Sequence, residues 1–434
     1  MHIAPRLIAA LRQGRFLHAR RVVGWCGVLF AVELAAALFV TLGTYGLIVP
    51  VRPTTTDFSS FYAAGRLALG ADPSRVYDQA AHWAAQQAAT TAGVEHDVFY
   101  YPPVFLLLCA PLARLPYLLA FAVFQALGLA LYLPVARRSL GLPGAAGLLP
   151  ALAFPAMIWS VGIGQNALLT AAILGGGLLL LEHRPWLAGA ALGLLAYKPH
   201  FGLLLPVALA AGRHWRAFAA AALSVAGLTA LSAAVFGLAT WQAWFHAFAG
   251  SGSVYATGKV SFAAMVTPFG AARLLGATNA LAMSLQAAVL LLCVVLVALV
   301  WRGRAPFAAR AAVLLAAVPL AAPLALFYDM MPVGLAIFWL ARRGRQDGFL
   351  PWERLTLAGA YFAPLLSRHL GLGLHLPLGQ LAILAVLSFA VRHARASYPR
   401  ARIAETPSSA QPSISSVPPV GAIGPRCTPP RASA

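Results

Sequence analysis

The chain has 434 residues, 61% of them hydrophobic and only 10% charged, against about 25% charged in an ordinary soluble domain. No soluble core absorbs that much apolar surface, so an all-α polytopic membrane protein is expected. The net charge of +20 does not signal nucleic acid: 29 of the 31 basic residues are Arg, set in short segments between apolar runs, as positive charge retained on the cytoplasmic side would be.

Residues 1–21 form a basic N-terminus with Arg6, Arg12, Arg15, Arg20 and Arg21, expected to be cytoplasmic. The apolar run 22–49 is too long for the core of a cleaved signal and reads as a signal anchor leading outward. Loop 50–100 sets Asp57, Asp72, Asp78, Glu95 and Asp97 against Arg52, Arg66 and Arg75, a low basic density that suits the extracytoplasmic side. Within it Phe58, Phe61, Tyr62, Gly65 and Leu69 share one helical face, which predicts an amphipathic helix lying on the membrane surface. Asp57 opens that helix, either as an N-cap or as an oriented catalytic carboxylate. Asp72-Pro73 reads as a turn opening the next helix, and Asp78 as a solvated loop charge. Phe99-Tyr100-Tyr101-Pro102-Pro103 puts tyrosines where an interfacial belt or a ligand-stacking wall would stand.

The apolar runs continue as a short re-entrant piece, 102–113, and then spans 117–136, 145–161 and 167–181. Segment 186–212 is broken at Lys198-Pro199-His200 and predicts two half-length helices. Spans 217–237, 280–300, 307–327, 330–341, 355–370 and 376–391 bring the bundle to about ten transmembrane helices. Residues 22–392 form the membrane domain, and the Ser-, Pro- and Arg-rich 393–434 a disordered cytoplasmic tail. Cys26, Cys109, Cys293 and Cys427 have no metal-ligand spacing, and no metal or cofactor is expected. Glu33, in the first span, reads as an interhelical hydrogen-bonding group.

The arginine-based topology brings Asp57, Gly164-Gln165-Asn166, the Trp241–His246 segment and Tyr328-Asp329 to the outer side. Lys198 is an ionisable group at membrane depth, a candidate phosphate ligand, with His200 two residues on. Gln165 and Asn166 can bond sugar hydroxyls or tie off backbone freed at a helix junction. Asp329 can cap its helix or hold a cation or a sugar hydroxyl. Trp241, Trp244 and His246 read as interfacial anchors. Walker, Rossmann, metalloprotease and nucleophile-elbow signatures are missing.

The ordered set Asp57-Phe58-Ser59-Ser60-Phe61-Tyr62-Ala63-Ala64-Gly65, Tyr77-Asp78, Tyr101-Pro102-Pro103, Pro111-Leu112 with Leu115-Pro116, Gly164-Gln165-Asn166, Lys198-Pro199-His200 and Tyr328-Asp329-Met330 resembles glycosyltransferase family 87. That family contains polyprenol-phosphate-mannose-dependent mannosyltransferases. The resemblance spans roughly residues 20–392. It implies a GT-C-like bundle in the plasma membrane with an extracytoplasmic active site, and transfer with inversion of a hexose, mannose for the best-known members. The donor would be a polyprenyl-phosphate sugar and the acceptor a cell-envelope lipid or glycan. Asp57 is the matching general base. Lys198 and His200 are the candidates for the donor phosphate, and Tyr62, Tyr101, Gln165, Asn166 and Asp329 for sugar or acceptor contacts. A transporter or flippase of lipid-linked glycans, or an inactive scaffold, are the competing readings.

Overall fold

The computed structural model describes residues 3–43, 48–49, 52–53, 57–250, 252 and 257–396. The tail expected from 393 lies outside the described residues from 397 onward, as does Cys427.

α1 (Ile3–Gln13) and α2 (Ala19–Gly43) are followed by a two-stranded antiparallel hairpin, β1 (Ile48–Val49) with β2 (Arg52–Pro53). Everything else described is helical or loop. α3 (Asp57–Ala68) begins at Asp57. A short 3₁₀ turn, Pro73–Tyr77, is opened by Asp72, whose carboxylate accepts from the Ser74 amide at 3.1 Å, with Pro73 at the first helical position as the sequence predicts. Asp78 is exposed in the loop, as expected, and has a second role. It caps α4 (Gln79–Ala89), accepting from the Ala81 amide at 3.0 Å, because a carboxylate there satisfies an amide that the first turn leaves unpaired.

α5 (Leu106–Leu112) continues a 3₁₀ turn at Pro103–Phe105 and is the short apolar piece expected there. α6 (Tyr117–Leu140) is followed by α7 (Gly144–Leu152) and α8 (Pro155–Ile163), which meet at a 62° bend, and by α9 (Ala167–Leu180). α10 (Pro185–Gly193) unwinds into 3₁₀ geometry before Lys198, and α11 (Leu205–Ala211) starts beyond it, so the predicted break stands where the Lys-Pro pair places it. The remaining helices are α12 (Trp215–Phe236), α13 (Leu238–Gly250), α14 (Pro268–Leu274), α15 (Asn279–Arg302), α16 (Phe307–Ala321), α17 (Met331–Asp347), α18 (Glu353–Leu374) and α19 (Leu378–Ala396).

The expected bundle of about ten spans is overturned. Among the described residues four helices are long and apolar enough to cross a membrane: Ala19–Leu38 within α2, α6, α12 and α15, or five if the bent pair α7–α8 is one span. The reason is length and charge. α9 and α16 have 14 and 15 residues, a rise of roughly 21–23 Å against a hydrocarbon core of about 30 Å. α17 carries Arg342, Arg343, Arg345 and Asp347, and α18 carries Glu353, Arg354 and Arg368. Of the short apolar segments, α9, α16 and the first ten residues of α17 are interior and largely buried. The long ones turn Trp25, Val32, Leu119, Leu223, Leu231, Leu291 and Leu299 outward.

Glu33 also departs from expectation. Its carboxylate is buried, and neither oxygen has a hydrogen-bond partner among the described residues.

Candidate active site

α3 is not the surface helix that its pattern predicts. Phe58 through Gly65 and Ala68 are all buried. Outside the predicted apolar face, Ser59 and Ala63 are small and buried, which lets other helices approach closely, while Arg66 is exposed. An added Cβ on Gly65 would lie 2.3 Å from the Cys109 carbonyl oxygen of α5. Phe58 packs on Tyr117, Phe121 and Phe124 of α6, with ring centroids 5.3–5.6 Å away. On the other side α4 presents His82 and Gln86 one turn apart on a single face. The His82 imidazole bonds the Ser60 carbonyl at 3.1 Å, and the Gln86 amide donates to Ser59 Oγ at 2.8 Å. Gln86 Oε1 then accepts from the Asp97 amide at 3.2 Å, which ties the strand-like segment before Phe99 to the same base.

Asp57, at the head of this fixed helix, meets the end of α8. Gly164 adopts φ +74°, and an added Cβ would lie 2.5 Å from Phe58 Cβ, so only glycine lets the α8–α9 junction close on α3. The next residue, Gln165, donates from Nε2 to Asp57 Oδ2 at 2.6 Å and to the Tyr328 hydroxyl at 3.2 Å. Its Oε1 accepts from the Asn166 amide at 3.1 Å.

The break after α10 delivers Lys198. Its Nζ donates to Asp329 Oδ1 at 2.6 Å and to Asn166 Oδ1 at 3.2 Å, and lies 4.6 Å from the Phe201 ring centroid. Lys198 is 3% and Asp329 4% exposed, so this is a buried ion pair. The second carboxylate oxygen of Asp329 accepts from the Leu326 amide at 3.2 Å. Asp329 is therefore both local cap and cation holder, and the cation is Lys198.

These elements enclose a cavity of about 560 Å³, within the roughly 300–1,000 Å³ of small-molecule sites. Asp57, Tyr101, Gln165, Lys198, His200, Tyr328 and Asp329 all line it. The structure thus brings together six of the eight site residues predicted from sequence. Asn166 stands behind the wall, fully buried, and holds Lys198. Tyr62 points elsewhere: its hydroxyl donates to the Leu115 carbonyl at 2.8 Å and its ring packs on Tyr117.

Sequence reasoning did not single out Asp97, His96, Tyr197, Lys259 and Arg368, which line the same cavity. A trace of the signal existed, since Lys259 is one of only two lysines. Trp244, read as an interfacial anchor, also lines the cavity and donates from Nε1 to the Tyr100 carbonyl at 3.1 Å, whereas His246 is exposed.

The electrostatics favour proton uptake at the carboxylates. Burial raises the Asp57 carboxyl to about 6; the Gln165 amide opposes this, nearby Asp329 adds to it and Lys198 subtracts. Burial, with Asp57 and Glu95 close by, pushes Asp97 well above the usual carboxylate range, and the Lys259 ammonium opposes this. Burial and the Lys198 ammonium lower His200, so that it stands as a neutral imidazole. Among the described residues no group of three or more His, Cys, Asp or Glu side chains could hold a metal ion.

The arrangement joins an oriented carboxylate, a buried cation and a cavity wall of hydrogen-bonding groups. Such a set can accept a proton from a hydroxyl and stabilise a departing anion. No curated protein and no solved structure matches the chain. The model of glycosyltransferase family 87 matches residues 99–326, which include Tyr101, Gln165, Lys198 and His200 but neither Asp57 nor Asp329. That stretch is more than half of this multi-span membrane protein, and the chain belongs to glycosyltransferase family 87.

Proposed function

We propose that the protein transfers a hexose, mannose in the first instance, from a polyprenyl-phosphate donor to a cell-envelope lipid or glycan acceptor, with inversion. The observation that carries this reading is the Asp57 carboxylate, fixed by Gln165 at 2.6 Å in a cavity where its proton affinity is raised toward neutrality. A general base works best with a pKa near the working pH. The acceptor hydroxyl gives its proton to Asp57 while its oxygen bonds to the anomeric carbon. The bond from that carbon to the phosphate oxygen breaks on the opposite face, and the electron pair leaves with the polyprenyl phosphate. Lys198, held by Asp329 and Asn166, is a fixed part of the wall of the same cavity.

The charge distribution supports an extracytoplasmic site. α6 runs from Tyr117, beside Phe58, to Arg137 and Arg138 at its far end. There Arg342 donates to the Arg138 carbonyl and Arg345 to the Leu140 carbonyl. The same basic end takes in α1, where the Trp352 amide donates to the Arg12 carbonyl. Basic residues collect on the cytoplasmic side, and this charge distribution supports an extracytoplasmic Asp57 and cavity.

The test is a transfer assay in nanodiscs with radiolabelled polyprenyl-phosphate-mannose and a cell-envelope lipid extract. Wild type should consume donor and form a labelled product, and Asp57→Asn should lose about 10²–10⁴-fold in rate while keeping its thermal stability. Equal turnover by both proteins would reduce Asp57 to a structural residue. Movement of intact donor across liposomes without product would favour a transporter.

A further inference from the structure

The family resemblance gives the donor phosphate to Lys198 and His200, yet both are poorly placed to supply free positive charge. The Lys198 ammonium is engaged by Asp329, Asn166 and the Phe201 ring and is almost wholly shielded. Turning it to a second anion would leave the Asp329 carboxylate buried without its counter-charge. His200 is neutral.

Two other cations line the cavity, Lys259 and Arg368. Among the described residues neither has a hydrogen-bond or ion-pair partner. They stand on two segments that press on each other. Lys259 precedes the turn Phe262–Ala264, and α18 crosses that turn: an added Cβ on Gly371, one turn beyond Arg368, would lie 2.9 Å from Ala263 Cβ. Ser261, between them, lines the cavity too. The same rim carries Val260, Trp244 and Phe248, and Phe248 is 56% exposed.

We propose that Arg368 and Lys259 clamp the phosphate of the lipid-linked donor, with the first isoprenoid units lying against Trp244, Phe248 and Val260. The inference rests on the transferase reading above and gives that site its donor end. Arg brings a planar fork that matches phosphate oxygens two at a time, and Lys a compact charge. The chemistry demands such a pair. The donor phosphate carries one charge as a diester, and as a departing monoester it carries about −1.5 to −2. Lys259 lies within electrostatic reach of Asp97 and His96, but neither cation is held in an ion pair among the described residues. Two such cations bind the product-like charge better than the ground state, which is the condition for accelerating departure.

The probe is farnesyl phosphate, titrated by calorimetry into Asp57→Asn protein in phosphatidylcholine nanodiscs. Farnesol serves as the uncharged control, and inorganic phosphate and phosphatidylglycerol as competitors. Arg368→Gln and Lys259→Gln should each raise the Kd for farnesyl phosphate about tenfold or more. Arg368→Lys should recover part of the loss, and farnesol binding should stay unchanged in every variant. A collapsed site would move farnesol as well, so a parallel loss of both ligands overturns the clamp. Unaltered farnesyl phosphate binding in the Gln variants overturns the clamp alone and leaves the lipid-donor reading standing. No binding of farnesyl phosphate by the unsubstituted clamp overturns both. Equal competition by phosphatidylglycerol would make the pair a general anionic-lipid contact, and equal affinity for inorganic phosphate a free-anion site; either result overturns the proposal.

Discussion

Replacing Gln165 with Leu removes the amide that donates to Asp57 Oδ2 at 2.6 Å and leaves the cavity wall nearly the same size. A hydrogen bond to a charged group is worth about 1.5–3 kcal/mol, and one pKa unit corresponds to about 1.4 kcal/mol. The Asp57 carboxyl, at about 6 in the intact site, should therefore rise by about one to two units in Gln165→Leu. Because the base must be ionised to act, the acid limb of kcat/KM against pH should move from near 6 to roughly 7–8. The assay is the nanodisc transfer reaction across that range. An unmoved limb, a limb displaced to lower pH, or a rate flat with pH would refute the reasoning. The same group leaves a mark on stability. Its folded-state value lies above the ordinary 3.8, so protonation favours the fold. That contribution is fully present below about 3.8 and is lost as pH rises through about 6.

Two further substitution sets test the framework around the base. Lys198→Met and Asp329→Leu each strand a buried charge and should cost about 3–5 kcal/mol, while the double variant recovers most of the loss because the charges go together; thermal unfolding in nanodiscs reads this, and additive single effects would contradict the pairing. Gly164→Ala must hold φ at +74° and place its Cβ 2.5 Å from Phe58 Cβ, at a backbone cost of about 1–2 kcal/mol before any clash. Transfer should fall at least about tenfold as Gln165 is displaced from Asp57, whereas Gly162→Ala, with nothing within 4 Å of the new Cβ, should be silent.

Much of the helix layout was legible in the sequence because apolar runs and prolines punctuate it: Lys198-Pro199 marks the break between α10 and α11, and Gly164-Gln165 the α8–α9 junction. The number of spans was not, since a run of apolar residues in α16 or α17 looks alike whether lipid or protein covers it, and only length and flanking charge tell them apart. Burial of α3 was hidden for a related reason: only Phe58, Phe61, Tyr62, Gly65 and Leu69 read as one apolar face by period, while the small Ser59 and Ala63 outside that face also pack closely. Asp57, Gln165 and Asp329 were legible as polar residues at helix ends. Lys259, Asp97 and Arg368 were not, because their meeting depends on how α18 crosses the turn at Phe262 and how α4 holds the segment before Phe99.

The placement of the short helices has a consequence for how the protein tolerates its membrane. Lipid meets the long helices α2, α6, α12 and α15, whose large apolar side chains turn outward, while α9, α16 and the start of α17 are wrapped by protein. Mismatch between helix length and bilayer thickness costs only fractions of a kcal/mol per Å, and tilting relieves it. That adjustment falls on the outer helices. A thinner or thicker membrane would tilt the shell while the interior helices α9 and α17, whose starts adjoin Gln165 and Asp329, keep their spacing.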